Sequence, residues 1–248
     1  MQTKMTKSVF NWSGGKDSAL ALYHVLKDPH ISVERLLTTV NGHHQRISMH
    51  GVRRELLHAQ AKAIGLPLDE LLLPGMPNMD TYNRLMGDKM DDIKRGGIVQ
   101  SIFGDIFLED LKQYREEKLA KAGLKALFPL WQRNTKELIA EFLDLGFKTI
   151  VVCVKTDLLP EDFAGRIIDH DFLKDLPSSV DPCGENGEFH TFVFDGPIFS
   201  SPIPFTMGEQ VLRTYEAPKN QKDGCYASAD EQPPEIGFCF QDLTLSKK

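Results

Sequence analysis

The chain has 248 residues, 41% of them hydrophobic and 26% charged, with 29 Lys+Arg against 35 Asp+Glu for a net charge of −6. This composition supports a folded core and excludes wholesale disorder. No apolar stretch reaches the roughly 18 residues of a membrane-spanning helix, the first residues lack the apolar run of a signal peptide, and Cys153, Cys183, Cys225 and Cys239 include no close pair, so a soluble, cytoplasmic protein with reduced thiols is expected.

Short apolar segments predict strands at Ser8–Trp12, Arg35–Val40, Leu68–Leu73, Ile98–Phe103 and Ala126–Leu130. Between them lie helical stripes: Ala19, Leu20, Tyr23 and Leu26; then Val52, Leu56, Ala63 and Ile64; then Ile106, Leu111, Tyr114 and Leu119. Such alternation predicts an α/β fold, a doubly wound, mostly parallel, Rossmann-like sheet over residues 1–131. Asn134 and Glu137 read as an N-cap with its N3 partner, opening a helix through Leu145 that Gly146 stops. Thr149–Val154 is a β-branched run and predicts a buried strand. Beyond Asp157 prolines punctuate the chain, and Phe189–Phe194 and Glu209–Glu216 predict strands of a smaller, mixed α+β domain over 132–248. Residues 217–234 are polar and predict an exposed or mobile segment, after which Ile236–Leu245 is expected to return as an edge strand.

Charge divides unevenly. Residues 1–131 hold 18 Lys+Arg against 15 Asp+Glu, and residues 132–248 hold 11 against 20. The acidic half makes a poor surface for extended nucleic acid, whose affinity rests on neutralised phosphates.

The strongest motif is Ser13-Gly14-Gly15-Lys16-Asp17-Ser18, set between a predicted strand and a predicted helix. Glycines admit positive φ and let backbone amides approach an anion, and the helix points its positive end at the same place. Lys16 adds a charge and Ser13 and Ser18 add hydroxyls. Asp17 caps the helix or holds Mg²⁺ that bridges phosphates. Neither GxxxxGK[ST] nor GxGxxG fits this segment.

Four further segments stand out. In Arg46–Arg53, His50 and Arg53 face the nucleotide side of the sheet if the topology holds. In Phe103-Gly104-Asp105-Ile106, Asp105 sits at a strand end, as an N-cap or an active-site carboxylate. Arg115, one helix away, suits a phosphate or carboxylate clamp. Phe128-Pro129-Leu130-Trp131 ends the fifth strand, where Trp131 stacks or packs. Last, Asp181-Pro182-Cys183-Gly184-Glu185-Asn186-Gly187-Glu188-Phe189-His190-Thr191 crowds many reactive groups into one loop.

SGGKDS matches the PP-loop of the N-type ATP pyrophosphatases. Taken with GDI, PLW, CGENGEFHT and the later Asp195-Gly196-Pro197, the chain resembles the diphthine–ammonia ligase family, in its short, single-module form, from roughly Val9 to Phe199. The resemblance implies ATP and Mg²⁺ as cofactors, a carboxylate acceptor on a modified translation factor or a small molecule, ammonia as the second substrate, and AMP and pyrophosphate as products. It implies catalytic roles for Lys16, Asp105, Glu185, Glu188 and His190. It implies ATP binding by Ser13, Gly14, Gly15, Lys16, Asp17 and Ser18, with Thr39, Val40 and Gly104 at the strand ends beside the adenine. The acceptor is expected to meet His50, Arg53, Arg115, Cys183, Glu185, Asn186 and Glu188, with Cys183 binding or structural rather than nucleophilic. No membrane partner is expected, and a homodimer is compatible. Two other classes stay open: a PP-loop tRNA-modifying enzyme, and a non-enzymatic adenine-nucleotide sensor.

Overall fold

A computed structural model describes residues 5–47, 50–75, 77–216 and 235–246. β1 (Thr6–Asn11) pairs in parallel with β2 (Ile31–Asn41) on one side and with β5 (Gln100–Ile102) on the other. Parallel pairing continues outward to β4 (Leu68–Leu73) beyond β2 and to β6 (Lys125–Leu127) beyond β5, while β3 (Arg46–Ile47) runs antiparallel to the end of β2. The two-residue period of a strand sends neighbours to opposite faces. Phe10 and Leu36 enter a core with α1 (Lys16–Leu26) and α2 (Arg54–Ile64), whereas Val9 and Leu37 enter a second core with α3 (Met79–Arg95) and α4 (Glu109–Ala122). Helices on both faces of a parallel sheet make the doubly wound arrangement the alternation predicts.

Helix α3 has no counterpart among the predicted stripes. Pro74, Gly75 and Pro77 break the pattern just before it, and only Met90 and Ile93 are fully buried. Its signal lies in the Asn78 cap, which accepts a hydrogen bond from Thr81 N at 2.9 Å, and in Met86, Met90 and Ile93 at helical spacing. Val52 and Ile106, read as helical, lie in the turns before α2 and α4.

The second sheet is antiparallel throughout, in the order β8 (Phe189–Asp195), β7 (Lys148–Lys155), β10 (Glu235–Leu245), β9 (Phe205–Glu216). α5 (Thr135–Asp144) precedes it, with the Asn134 side chain accepting from Lys136 N and Glu137 N, and α6 (His170–Asp175) lies between β7 and β8. β10 is an inner strand, hydrogen-bonded to β7 and β9, and not the edge strand expected of Ile236–Leu245. Its alternating buried residues, Cys239, Gln241 and Leu243, turn one face of the strand to the core. The 217–234 segment lies outside the described residues. One hydrophobic core runs from α1 and β1 through α5, β7 and β8, so the two sheets are packed as a single body. Among the described residues no helix is long and apolar enough to cross a membrane.

Candidate functional site

β1 ends at Asn11 and α1 begins at Lys16, leaving four residues to turn the chain. Gly14 takes φ +80°, in the left-handed region that glycine enters without penalty. A Cβ there would stand 2.7 Å from Gln60 Oε1. Gly15 is the N-cap and offers no side chain to the first amides of α1, which leaves donors for an anion. The serines brace the turn: Ser18 Oγ donates to Gly15 O at 2.8 Å, and Ser13 Oγ to Ser18 Oγ at 3.0 Å.

The distant loop between α6 and β8, together with β8 itself, closes onto this turn. Lys16 N donates to Thr191 Oγ1 at 3.0 Å and Val193 N to Gly14 O at 2.9 Å. Lys16 is 3% exposed, and its Nζ bonds Asp17 Oδ2 at 2.7 Å and the carbonyl of Cys183. Burial opposes the Lys16 charge, but Asp17, Cys183 and Glu185 together outweigh it and hold the ammonium above its ordinary pKa. Gln60, fully buried, ties the junction together. Its Nε2 donates to Gly14 O at 3.0 Å and Val193 O at 2.6 Å, and its Oε1 accepts from Trp12 Nε1 at 3.0 Å.

A cleft of about 690 Å³ opens above the turn, within the size range of small-molecule sites. Its walls bring together Ser13, Lys16, Asp17, Ser18, Thr39 and Gly104 with Asp105, Arg115, His50 and the Cys183–Asn186 and His190 positions. Gly104 is there because the α1 backbone passes close by: a Cβ would sit 3.0 Å from Ser18 N. The cleft is lined as well by Tyr82, Met86 and Met90 of α3 and by Leu111 and Tyr114 of α4, none of them among the expected site residues.

Asp105 and Arg115 form an ion pair at 3.2 Å, yet Asp105 Oδ2 is buried without an aligned hydrogen bond. Burial raises the Asp105 pKa, with Arg115 pulling the other way. Glu185 Oε1 accepts from Ile106 N at 2.8 Å, which joins the distant loop to the end of β5. Burial, reinforced by Asp17, pushes Glu185 up to about 7. The rings of His50 and His190 lie 4.7 Å apart, and His50 Nδ1 stands 3.2 Å from Thr191 O. Burial lowers their pKa values to about 4 and about 3, so both imidazoles are neutral at pH 7. Burial also pushes the Cys183 thiol far up despite Lys16, and its Sγ faces Thr135 O at 3.4 Å, an arrangement unlike an activated nucleophile.

Five expected site residues do not line the cleft: Gly14 and Gly15 belong to the turn itself, and three others lie elsewhere. Val40 is fully buried in the core beneath the sheet end. Arg53 turns away to Asp242, with Nη2 2.7 Å from Oδ2. Glu188, 3% exposed, caps its own loop: it accepts from Asp181 N at 3.1 Å, Asn186 N at 2.9 Å and Asn186 Nδ2 at 3.0 Å. Its carboxylate is spent on loop amides, so loop rigidity is its structural work. The loop expected to serve the acceptor alone also touches the phosphate turn, through Cys183 and Thr191.

The residues suit a magnesium ion held mainly by phosphates. Asp17 and Asp105 line the cleft with hard carboxylate oxygens, and Asp105 Oδ2 has no hydrogen-bond partner. Mg²⁺ usually takes one or two carboxylates, waters and substrate phosphates.

The diphthamide synthase N-terminal domain matches residues 6–126, and the diphthamide synthase C-terminal domain matches residues 134–217. Diphthine–ammonia ligase of Homo sapiens is 28% identical over 227 residues, covering 83% of this chain and 85% of that protein. Diphthine–ammonia ligase of Schizosaccharomyces pombe is 26% identical over 222 residues, covering 80% of this chain and 36% of that protein. Among solved structures, the U34-tRNA thiolase NcsA from Methanococcus maripaludis overlays with a TM-score of 0.36 at 18% identity, over 58% of this chain and 59% of that one.

Proposed function

The chain belongs to the diphthamide synthase family and is an ATP-dependent, amide-forming ligase, and we propose that its acceptor is a carboxylate of the diphthine type, adenylated and then amidated in the one cleft. The observation that carries this reading is the closure of the Cys183–Thr191 loop onto Lys16, which puts the groups suited to pyrophosphate and those suited to an amine in one enclosure.

A carboxylate oxygen attacks the α-phosphorus of ATP and the bond to the β-phosphate oxygen breaks, giving acyl-adenylate and pyrophosphate. Lys16 and the first amides of α1 hold the departing charge. Asp17 and Asp105 would hold Mg²⁺ beside the phosphates, where it would supply further charge neutralisation. The floor of Thr39 and Gly104 carries the adenosine side.

Ammonia then attacks the acyl carbon, AMP leaves, and the nitrogen gives up a proton. Glu185 is the group whose pKa, about 7, matches that task. His50 and His190 resist protonation at neutral pH and orient the acceptor as neutral imidazoles. Arg115, already paired with Asp105, clamps the acceptor or the phosphate beside it.

The test is ATP–pyrophosphate exchange with protein bearing diphthine, with ammonium added in a second stage and AMP and amide measured. Acceptor-dependent exchange followed by amide formation is expected. Release of ADP and phosphate, or exchange that depends on tRNA, overturns the reading.

A further inference from the structure

The C-terminal strand β10 reaches the cleft indirectly. Asp242, on that strand, accepts hydrogen bonds from Arg46 Nη1 at 2.8 Å, Arg53 Nε at 3.1 Å and Arg53 Nη2 at 2.7 Å. These arginines stand at the two ends of the turn that carries His50, and an antiparallel bridge joins them. Arg46 Nη1 also donates to Gly51 O at 2.7 Å, so one guanidinium links the strand carboxylate to the residue beside His50. Gly51 has φ +68°, and a Cβ on it would meet the Phe240 ring, also of β10, at 3.0 Å. On its other side His50 packs against His190, the rings tilted by 35°, and covers Gly15, where a Cβ would come within 2.9 Å of the imidazole. The His50 turn is therefore gripped from behind by β10 and pressed forward onto the phosphate turn. β10 lies outside the residues matched by either diphthamide synthase domain.

We propose that Asp242 is a positioning residue of the ligase: through Arg46 and Arg53 it fixes the turn that presents His50 to the cleft. An ordinary surface ion pair contributes little. Here one carboxylate takes three hydrogen bonds from two arginines, and those arginines close a turn instead of decorating a surface. The geometry also redirects Arg53 from the acceptor to the support of its neighbour. The inference rests on His50 serving the reaction, as proposed above.

The experiment is a double-mutant cycle in the full chain, with Asp242→Ala, His50→Ala and the combined variant. It reads turnover and KM for ATP and for the acceptor, with thermal unfolding alongside. His50→Ala alone is expected to lower turnover by at least tenfold. Asp242→Ala is expected to lower it by a similar factor, with the KM for ATP within twofold and Asp242→Glu recovering part of the loss. In the combined variant the Asp242 change should add less than twofold, because a misplaced His50 and an absent one are equivalent. Multiplicative losses overturn the positioning role, as does full turnover in a folded Asp242→Ala chain. Unchanged turnover in His50→Ala instead removes His50 from the reaction, a failure of the functional reading. If Asp242→Ala unfolds, Arg46→Gln, which keeps most of the stem, enters the same cycle under the same criteria.

Discussion

Lys16 N donates to Thr191 Oγ1 at 3.0 Å, a bond that spans 175 residues of chain and joins the phosphate turn to the distant loop. It occupies one of the first amides of α1, so the two motifs hold each other in place before any nucleotide arrives. Such preorganisation is what electrostatic stabilisation of a departing pyrophosphate requires.

Replacing Lys16 by Met keeps volume and removes charge. A charge-assisted phosphate contact is worth roughly 1.5–3 kcal/mol, so AMP formation should fall about ten- to hundredfold. Asp17 then loses its partner, and because Asp17 is partly exposed the stability cost should be a modest 1–2 kcal/mol or so. Calorimetry beside product assay separates the two; unchanged AMP formation removes Lys16 from the mechanism.

Glu185→Gln addresses the amidation step. With the carboxyl at about 7, the wild-type rate measured at a fixed concentration of free NH3 should rise as pH passes through 7, where the base form appears. The variant should lose that limb while acceptor-dependent pyrophosphate exchange persists. Stability carries the opposite sign. A carboxyl raised in the folded state costs stability as pH climbs from its unfolded value to about 7, and the Gln variant should lack that decline. A variant with an intact pH limb excludes Glu185 as the base.

His50 and His190 are neutral in the folded protein and would protonate in the unfolded chain. Their contribution to stability is present above the unfolded histidine value, near 6.5, and is lost as pH falls towards about 4 for His50 and about 3 for His190. Denaturant titrations between pH 7 and pH 4 should show a fall in stability that His190→Gln reduces.

Glu188→Gln should read as a stability variant. Three hydrogen bonds inside the loop depend on the two carboxylate oxygens, and an amide nitrogen cannot accept one of them. A loss of about 1–3 kcal/mol is expected, with nucleotide binding lowered only as far as the loop loosens. A variant of wild-type stability that fails to amidate would return Glu188 to the chemistry.

Gln60→Leu preserves size and removes the donors and acceptor that join Trp12, Gly14 and Val193. Leaving the Trp12 indole N–H unsatisfied and removing one donor each from Gly14 O and Val193 O in a buried site should cost roughly 2–4 kcal/mol. Unfolding midpoints measure it, and a neutral result shows that other groups close the junction.

Much of this protein is local in origin. Short apolar runs such as Val9–Phe10 and Leu36–Leu37, the glycine pair before Lys16, and the Asn134 cap are decided by neighbours a few positions away, so local pattern and turn chemistry sufficed to read the parallel sheet, the phosphate turn and α5. The residue types of CGENGEFHT were equally legible, since chemistry-rich loops declare themselves by composition. What required the tertiary structure is direction and partnership. Glu188 and Glu185 are three residues apart in one loop, yet one carboxylate folds inward onto loop amides and the other reaches Ile106 N, because only the packed loop decides which amides lie near. Arg53 looked free for an anion until β10, nearly two hundred residues on, supplied Asp242. Gln60 shows the limit most plainly: a polar side chain on an amphipathic helix acquires meaning only when a strand end, a turn and a second sheet converge on it, and contacts across that much chain leave no periodic trace in the sequence.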